Sequence, residues 1–331
     1  MASTDSAANA RGYQQLLDFA RQHVPGRRCW ALEGTGSYGS GLAAFLDAAD
    51  ESVVEVCRPK RPAVRGGRKT DMLDAVRAAR EALATEHLIH PRRRGEREAL
   101  RVLLATRQSA VLASTAAINL LKALIISAPD ELRVELRGMK SKDQVAHCAK
   151  LRDRPTQNIE HRMTVRALRS AGQRIEALRS EAKELELELL ALVRTVAPEL
   201  LALQGIGLSA AQILISWSHS GRFRSEAAFA AFAGVAPIPA SSGLTNRHRI
   251  NRSGDRQLNR ALHTITLIRI RLDPVTRAYV ARRISEGKTA RDAQRCLKRA
   301  ICRQLFKLLE RGAQPTRQIN ADDLLTRLIE A

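Results

Sequence analysis

The feature that most constrains the fold is a regular apolar repeat near the middle of the chain. From residue 168 to residue 196, apolar residues recur at alternating spacings of three and four, which predicts a helix that packs along a narrow seam. The flanking residues of EAKELELELL are mostly charged and favour a coiled coil between subunits, with an antiparallel hairpin inside one chain as the alternative. The repeat comprises Leu168, Ala171, Ile175, Leu178, Ala182, Leu185, Leu189, Leu192 and Val196.

Upstream, residues 11–90 alternate between helical and strand-like patterns. YQQLLDFARQHV, GLAAFLDAAD and DMLDAVRAAREAL have helical spacing, whereas CWALE and SVVEVC are typical of short buried strands. The fold class is therefore α/β plus α, with a small sheet at the N-terminus. We expect three domains: an α/β domain at 1–95, a helical linker and coiled coil at 96–197, and a mainly helical domain at 198–331.

The charge of the chain indicates its partner. The 331 residues carry 55 Lys+Arg against 34 Asp+Glu, a net charge of +21, which is typical of proteins that bind a polyanion. Residues 221–300 hold 17 Lys+Arg and 5 Asp+Glu, an excess of +12, so the main polyanion surface is expected there. A membrane surface is the weaker alternative, because no single amphipathic helix concentrates the charge.

Cysteine usage and hydropathy suggest the compartment. The five cysteines form no CxxC pair, which argues against structural zinc and a disulfide framework and indicates a reducing environment. No uninterrupted apolar run reaches the length of a membrane span, and the polar start MASTDSAANAR lacks the apolar core of a signal peptide. We expect a soluble cytoplasmic protein.

The stretch LEGTGSYGSGL presents Gly34, Gly36 and Gly39 in GxGxxG spacing between a strand and a helix. One interpretation is a dinucleotide site with Glu55 as the ribose-binding acid, although Glu33 would repel a pyrophosphate there. A second is a purely structural turn. The third makes Glu33 a functional carboxylate at the end of a strand.

Two further carboxylates follow the basic stretch RGGRK. Asp71 and Asp74 lie three residues apart at the start of a helix, so they share one side of it. Together with Glu33 they form a set of oxygen ligands suited to Mg²⁺ or Mn²⁺, with Lys69 and its basic neighbours holding phosphates. The alternative is that Asp71 caps the helix and Asp74 pairs with Arg77 in solvent.

The segment GVAPIPASSGLTNRHRINRSGDRQLNRAL combines serines with clustered arginines. Ser242, or less plausibly Ser241, could attack a phosphodiester while guanidinium groups stabilise the charge on the phosphate. Ordinary loop serines are the alternative. The predicted nucleic-acid contacts here are Arg247, Arg249, Arg252, Arg256 and Arg260.

Gly205 and Gly207, in ALQGIGLSAA, precede a helical run. A helix-hairpin-helix-like turn of this kind can present backbone N–H groups to a phosphate, and a plain turn between helices is the alternative.

Taken together in order, ALEGTGSYG, RKTDMLDA, LQGIGLSAAQIL, FRSEAAFAAFAGVAP, SSG and INRSGDRQLNRAL resemble the transposases of the insertion-sequence one-ten family, the DEDD-motif, bridge-RNA-guided recombinases. The likeness covers roughly residues 11–310.

This resemblance implies an N-terminal domain of the RuvC or ribonuclease-H type, a coiled-coil middle and a C-terminal transposase domain. It implies magnesium binding by Glu33, Asp71 and Asp74, and a covalent link from Ser242 to a DNA end. The implied partners are the DNA of the element ends and target, a guide RNA, and further copies of the chain in a dimer or tetramer. A bacterial, nucleoid-associated location follows.

The sequence departs from the family pattern at the first acid of the family's tetrad. That acid is an aspartate on a strand upstream of the Glu33 position, and this sequence has no clear counterpart of it. Asp5 and Asp18 are poor substitutes, because Asp5 lies in a polar leader and Asp18 in an amphipathic helix. A misassigned start or an impaired copy is therefore expected. Besides a transposase or recombinase, the sequence leaves open a hydrolytic RuvC-like junction nuclease and an inactive nucleic-acid-binding protein.

Overall fold

The computed structural model of the chain describes residues 2–56, 71–86, 88–92, 94–240, 248–249 and 251–312. Over these residues the molecule is mainly helical, with few strands. The helices are α1 Ala10–His23, α2 Ser40–Ala48, α3 Asp71–Ala84, α4 Glu96–Ser127, α5 Asp130–Arg137, α6 Ser141–Lys150, α7 Ile159–Val196, α8 Pro198–Leu201, α9 Ser209–Trp217, α10 Glu226–Phe232, α11 Arg256–Leu272, α12 Pro274–Ser285 and α13 Ala290–Gly312. The strands are β1 Cys29–Glu33, β2 Ser52–Val56, β3 Ile238–Pro239 and β4 His248–Arg249.

The chain divides into two compact units. The described part of the first unit contains the residues up to Gly95, Trp217–Phe232 and the residues from Cys302. The second contains Glu96–Ser216 and Ala233–Ile301. The three-domain division expected from the sequence stays a prediction.

In the first unit, β1 and β2 pair in parallel, with Cys29 opposite Ser52 and Glu33 opposite Val56. The α2 helix connects the two strands, and α3 packs against both. The sheet is the small α/β element that the sequence predicts, whereas a complete RuvC-like architecture stays a prediction. The apolar core that holds this layer together consists of Leu17, Leu46 and Val53, with Trp30, Leu32, Leu42, Phe45 and Ala49 packed against it.

The C-terminal part of the first unit is held by the hydrogen bonds of one part-buried carboxylate. Glu310 accepts hydrogen bonds from Trp217 Nε1 at 2.8 Å and from Ser220 Oγ at 2.6 Å. Beside it, the ring of Phe229 stacks on Phe306 with centroids 5.5 Å apart. These contacts join residues about ninety positions apart in the sequence and fix the turn that follows α9.

The second unit is built on the antiparallel pair α4 and α7. Arg107 on α4 donates to Glu186 Oε2 on α7 at 2.7 Å, and the packed core near the other end includes Leu121 and Leu168. The first part of the predicted apolar repeat on α7, Leu168, Ala171 and Ile175, therefore packs with α4 of the same chain, whereas Val196 at the end of the repeat is 41 % exposed. This is the intramolecular hairpin that the sequence left open, and a coiled coil between subunits stays a prediction.

Helix α4 corrects the expectation that no segment is apolar enough over the length of a membrane span. Its 18-residue window with a mean hydropathy of 1.8 is apolar enough, by length and composition, to cross a membrane, and 28 % of that window is buried. Small polar residues such as Ser109 and Thr115 interrupt the apolar residues of α4, so the sequence shows no continuous apolar run of this length. These residues lower the mean hydropathy of the helix only slightly. Within this chain, α7 covers one side of α4.

Helices α11 and α12 meet at a shared capping residue. Asp273 ends α11 and caps α12, where its side chain accepts hydrogen bonds from the N–H groups of Val275 and Thr276. Asp255 caps the start of α11 by accepting from Gln257 N at 2.8 Å and Leu258 N at 3.0 Å. Such caps satisfy N–H groups that have no partner inside the helix and so fix where α11 begins.

Candidate nucleic-acid interface and acidic site

The glycine-rich turn after β1 is a compact structural turn. Ser37 N and Gly39 N both donate to Gly34 O, at 2.8 and 3.1 Å, and Gly34 has a φ of 69°, which favours glycine. A Cβ at Gly39 would lie 2.8 Å from Glu33 O, so only glycine fits. The spacing that resembles a dinucleotide motif is thus accounted for by the turn itself. Glu33 is exposed at the end of β1, as the sequence predicts.

Asp71 and Asp74 lie in the first turn of α3. Arg77 Nη1 donates to Asp74 Oδ1 at 3.0 Å, which is the solvent ion pair that the sequence offered as an alternative. Asp71 is exposed and lines a cleft of about 550 Å³ together with residues 2–5, which include Asp5. The cleft places Asp5 close to α3, although the sequence argued against a role for it.

The three candidate metal ligands are not gathered in this structure. Among the described residues, which include Glu33, Asp71 and Asp74, there is no group of three or more Asp, Glu, His or Cys side chains that could hold a metal ion. Their carboxylate oxygens have the right chemistry for Mg²⁺. Their arrangement here does not complete a site, and the predicted convergence of the three acids stays a prediction. Lys69 lies outside the described residues.

Strands β3 and β4 lie on either side of Ser241 and Ser242 in the sequence. They pair antiparallel, with Ile238 opposite Arg249 and Pro239 opposite His248. Ser241, Ser242 and Arg247 lie outside the described residues.

The arginines that follow are exposed on one side of the α11 start. Arg249 lies on β4 and Arg252 in the loop, while Arg256 and Arg260 lie one turn apart on α11. Within the described ranges, none of the four forms an ion pair with a carboxylate. Cations at a helix N-terminus oppose the helix dipole by about 0.3–1 kcal/mol each, so fold stability does not explain them. An anion bound there would remove this cost.

Gly205 and Gly207 have positive φ angles of 79° and 42°, in the turn before α9. The N–H groups of Ser209, Ala210 and Ala211 donate to carbonyls of the turn itself, at 2.9 to 3.2 Å. Donors already used in this way are not aimed at a phosphate. A Cβ at Gly205 would lie 3.1 Å from Ile268 Cγ2, so this glycine allows close packing on α11. The geometry favours the plain turn between helices.

One basic group near α11 has no clear signal in the sequence. Lys298 on α13 donates to Asn259 Oδ1 at 3.1 Å, and Asn259 donates to Ala233 O at 2.8 Å. Burial, and then the nearby charge of Arg295, lower the pKa of Lys298. Burial and the charge of Lys298 likewise lower the pKa of His263. The cluster is formed by contacts between distant helices, which spacing along the chain does not reveal.

Two family models match opposite parts of the chain. Residues 2–127 match the DEDD-type IS110 model, described as a transposase, and residues 197–281 match the model of the transposase IS116/IS110/IS902 family. The chain belongs to the IS110 family of transposases. The first match contains Glu33, Asp71 and Asp74, and the second contains the serines and the arginines of β4 and α11.

Two relatives of this IS110-family chain are proteins of insertion elements. An uncharacterized 43.6 kDa protein of insertion element IS110 from Streptomyces coelicolor is 31 % identical over 147 residues, which are 43 % of this chain and 36 % of that protein. An uncharacterized 42 kDa protein of insertion element IS900 from Mycobacterium paratuberculosis is 27 % identical over 86 % of this chain and 83 % of its own length. The alignment thus spans about a third of the first relative and most of the second.

Proposed function

We propose that this chain is a DNA transposase or recombinase of an insertion sequence that cleaves and exchanges DNA strands. The observation that carries the proposal is the pair of family matches, one over the acidic N-terminal region and one over the serine and arginine region. The strongly basic composition supports a nucleic-acid substrate. Element ends and target DNA are the proposed substrates.

The DNA backbone binds at the exposed arginines of β4, the following loop and the first turn of α11. Arg256 and Arg260 point from the same helix face, and the positive end of the α11 dipole lies beside them. Guanidinium groups suit phosphates because they donate two hydrogen bonds in a planar arrangement. Burial, and to a smaller extent the charge of Arg295, lower the pKa of Lys298, and an anion bound nearby would offset the positive charge of Arg295.

Ser242 is the proposed nucleophile. Its Oγ loses its proton and bonds to phosphorus, one P–O bond to a deoxyribose breaks, and the departing oxygen takes up a proton and leaves as a hydroxyl. Attack by a hydroxyl of a second DNA end reverses these bonds and releases the serine. Nearby guanidinium groups stabilise the charge that develops on the phosphate.

Glu33, Asp71 and Asp74 are the proposed ligands for Mg²⁺ or Mn²⁺, which would offset negative charge at the scissile phosphate. Binding requires Asp74 to leave Arg77. Both side chains of that pair are more than a third exposed, so the exchange costs about 0–1 kcal/mol at most. The separate carboxylates of the single chain are therefore compatible with assembly on DNA.

A guide RNA and further copies of the chain complete the proposed partners. The excess of +12 over residues 221–300 is sufficient for backbone contacts with RNA as well as DNA, since both present phosphates. The family resemblance supports RNA guidance and a site shared between subunits.

The decisive test compares Ser242→Ala with Ser241→Ala. Each purified variant is incubated with element junction DNA, the flanking transcript and Mg²⁺, and then denatured to reveal DNA attached to protein. We expect Ser242→Ala to lose the adduct and strand exchange while DNA binding persists, and Ser241→Ala to retain all three. Strand exchange at the wild-type rate by Ser242→Ala would refute the nucleophile assignment.

A second candidate is a nucleic-acid-binding protein without catalysis. It is favoured by the absence of a three-carboxylate group among the described residues. It predicts tight DNA binding with neither cleavage nor adduct under the same conditions. Cleavage without an adduct would instead indicate a hydrolytic nuclease that uses the acids alone.

A further inference from the structure

Tyr38 differs from every other aromatic residue of the chain in its exposure. The sequence contains six Phe, three Tyr and two Trp, and all eleven lie in the part of the chain that the structure describes. The other ten are buried or half-buried, whereas Tyr38 is 101 % exposed. Its hydroxyl has no hydrogen-bond partner among the described residues. An aromatic ring left wholly in water forgoes the stability that burial would give, so the fold does not account for Tyr38.

The glycine-rich turn that carries Tyr38 does not depend on its side chain. The hydrogen bonds of the turn run from the N–H groups of Ser37 and Gly39 to Gly34 O. Gly34 is required by its positive φ, and Gly39 by the lack of space for a Cβ. Position 38 has neither constraint, so a small polar residue would serve the turn equally well. The turn therefore holds an aromatic ring in solvent at a fixed place.

Two guanidinium groups lie against the same turn. A Cβ at Gly36, two positions before Tyr38, would lie 3.6 Å from Arg92 Nη1, so the side chain of Arg92 reaches the turn there. Arg94 Nη1 donates to Ser40 O, two positions after Tyr38, at 3.1 Å. Both arginines are exposed, and within the described ranges neither pairs with a carboxylate. Their positive charge is therefore available to an anion.

The start of α2 adds to this positive charge. Helix α2 begins at Ser40, and no side chain caps its first turn. The N–H groups of an uncapped first turn carry the positive end of the helix dipole, which favours an anion. The turn thus combines an exposed ring with a positive helix end and two guanidinium groups. A strand of nucleic acid has the matching chemistry, because it presents flat bases joined by phosphates.

We propose that Tyr38, Arg92 and Arg94 form a stacking platform for one unpaired nucleotide of a DNA or RNA strand. The base stacks on the ring of Tyr38, and the adjoining phosphate binds the two guanidinium groups and the start of α2. A base inside a duplex is already stacked on its neighbours, so only a base that has left the duplex can occupy the platform.

The platform rests on the proposed nucleic-acid substrate and adds to it the requirement for an unpaired base. Glu33, a proposed metal ligand, lies five residues before Tyr38 at the start of the same turn. Gly39, the neighbour of Tyr38, is packed so closely on Glu33 O that a Cβ there would lie 2.8 Å from it. The unpaired nucleotide therefore lies beside the proposed acidic site, where strand exchange needs a strand end free of its complement.

Photo-cross-linking of the full chain tests the contact with Tyr38 directly. The chain is mixed with a single-stranded DNA oligonucleotide that carries 5-iodouracil, irradiated in the near ultraviolet, digested with trypsin and analysed by mass spectrometry. Iodouracil joins covalently to an aromatic side chain that stacks on it, so we expect an adduct on Tyr38. An RNA oligonucleotide with 5-iodouridine forms the second arm, and the larger adduct yield identifies the strand type. The same base paired in a duplex should leave Tyr38 unmodified.

Two substitutions separate the ring of Tyr38 from its hydroxyl. Tyr38→Ala should weaken binding of the single strand on the order of tenfold, because one stacked base is lost. Tyr38→Phe is the matched control: it keeps the ring and should bind and cross-link like the reference. The common reference is the double variant Arg256→Gln, Arg260→Gln, so that the proposed arginine surface near α11 does not conceal the loss. The denaturation midpoints should coincide, since the Tyr38 side chain is fully exposed.

The outcomes distinguish the platform from the proposed function. A bound single strand that leaves Tyr38 unmodified, or Tyr38→Ala with unchanged affinity, would overturn the platform and leave the transposase proposal intact. Equal adducts from paired and unpaired bases, or Tyr38→Phe as weak as Tyr38→Ala, would also contradict stacking of an unpaired base. An adduct on Tyr38 without strand exchange by the wild type would support the platform and refute the proposed catalysis. A chain that binds neither DNA nor RNA would overturn both.

Discussion

The arginines near α11 and the carboxylates of the N-terminal unit are both proposed to act on one phosphate backbone, yet they are organised differently. Arg252, Arg256 and Arg260 lie within nine residues, exposed in succession at the start of one helix. Glu33 and Asp71 lie on different elements, 38 positions apart, and do not join Asp74 in a ligand group. The proposed basic surface is already exposed in the single chain, whereas the proposed acidic site would require rearrangement.

Electrostatics explains this difference. Like charges spread along an exposed helix repel only weakly, because water and salt screen them. Three carboxylates forced together repel strongly unless a cation neutralises them. Asp74 accordingly takes Arg77 as its partner in the single chain.

Neutralising an acid should have the largest effect. Asp71→Asn removes a proposed metal ligand, so strand exchange should fall on the order of 10³-fold while DNA affinity stays the same or rises slightly. Asp47→Asn, an exposed carboxylate on α2, is the matched control and should keep its rate. Strand-exchange rates and binding curves measure the two quantities. An unchanged rate for Asp71→Asn would remove this residue from the site.

The next effect concerns the turn that holds Glu33. Gly39→Ala places a Cβ 2.8 Å from Glu33 O and should lower the free energy of unfolding by about 1–3 kcal/mol. Gly36→Ala is the control, since its Cβ would meet Arg92 Nη1 at an ordinary 3.6 Å, and it should change stability by less than about 0.5 kcal/mol. Chemical denaturation followed by circular dichroism compares them. Equal losses would show that the turn is not limited by this contact.

A smaller effect is expected at the preformed basic surface. The double variant Arg256→Gln, Arg260→Gln should weaken DNA binding on the order of tenfold and reduce the salt slope by about 1.8, because two phosphate contacts are lost. The double variant Arg174→Gln, Arg179→Gln makes the same charge change on the exposed side of α7. Titrations at several salt concentrations distinguish the pairs. Equal slopes for both variants would mean that only total charge matters.

The smallest expected effect is a pH dependence of DNA binding. Burial and the charge of Lys298 lower the pKa of His263 in the free protein, and a phosphate bound nearby would raise it. The complex therefore holds more protons, and affinity should rise a few-fold as the pH falls through the window between the lowered free pKa and the higher bound one. His263→Gln should flatten this part of the profile. A profile that His263→Gln leaves unaltered would separate the histidine from the DNA.

Local periodicity made much of the fold predictable. The apolar repeat on α7, the two short strands and the helix that begins at Asp71 follow from residues close in sequence. The helix that packs against the apolar repeat of α7 could not be predicted in this way, because charged flanking residues suit a contact within one chain as well as one between chains. The Lys298–Asn259 contact likewise joins residues 39 positions apart, and the glycine turns owe their roles to neighbours brought in by folding.

The most direct test of the proposed acidic site is the anomalous scattering of Mn²⁺ in crystals of the chain bound to element-end DNA. The account predicts a manganese ion bound by carboxylate oxygens of Glu33, Asp71 and Asp74, with Arg77 displaced from Asp74. Crystals in which Asp74 still pairs with Arg77, and in which no manganese lies beside Glu33 or Asp71, would contradict it.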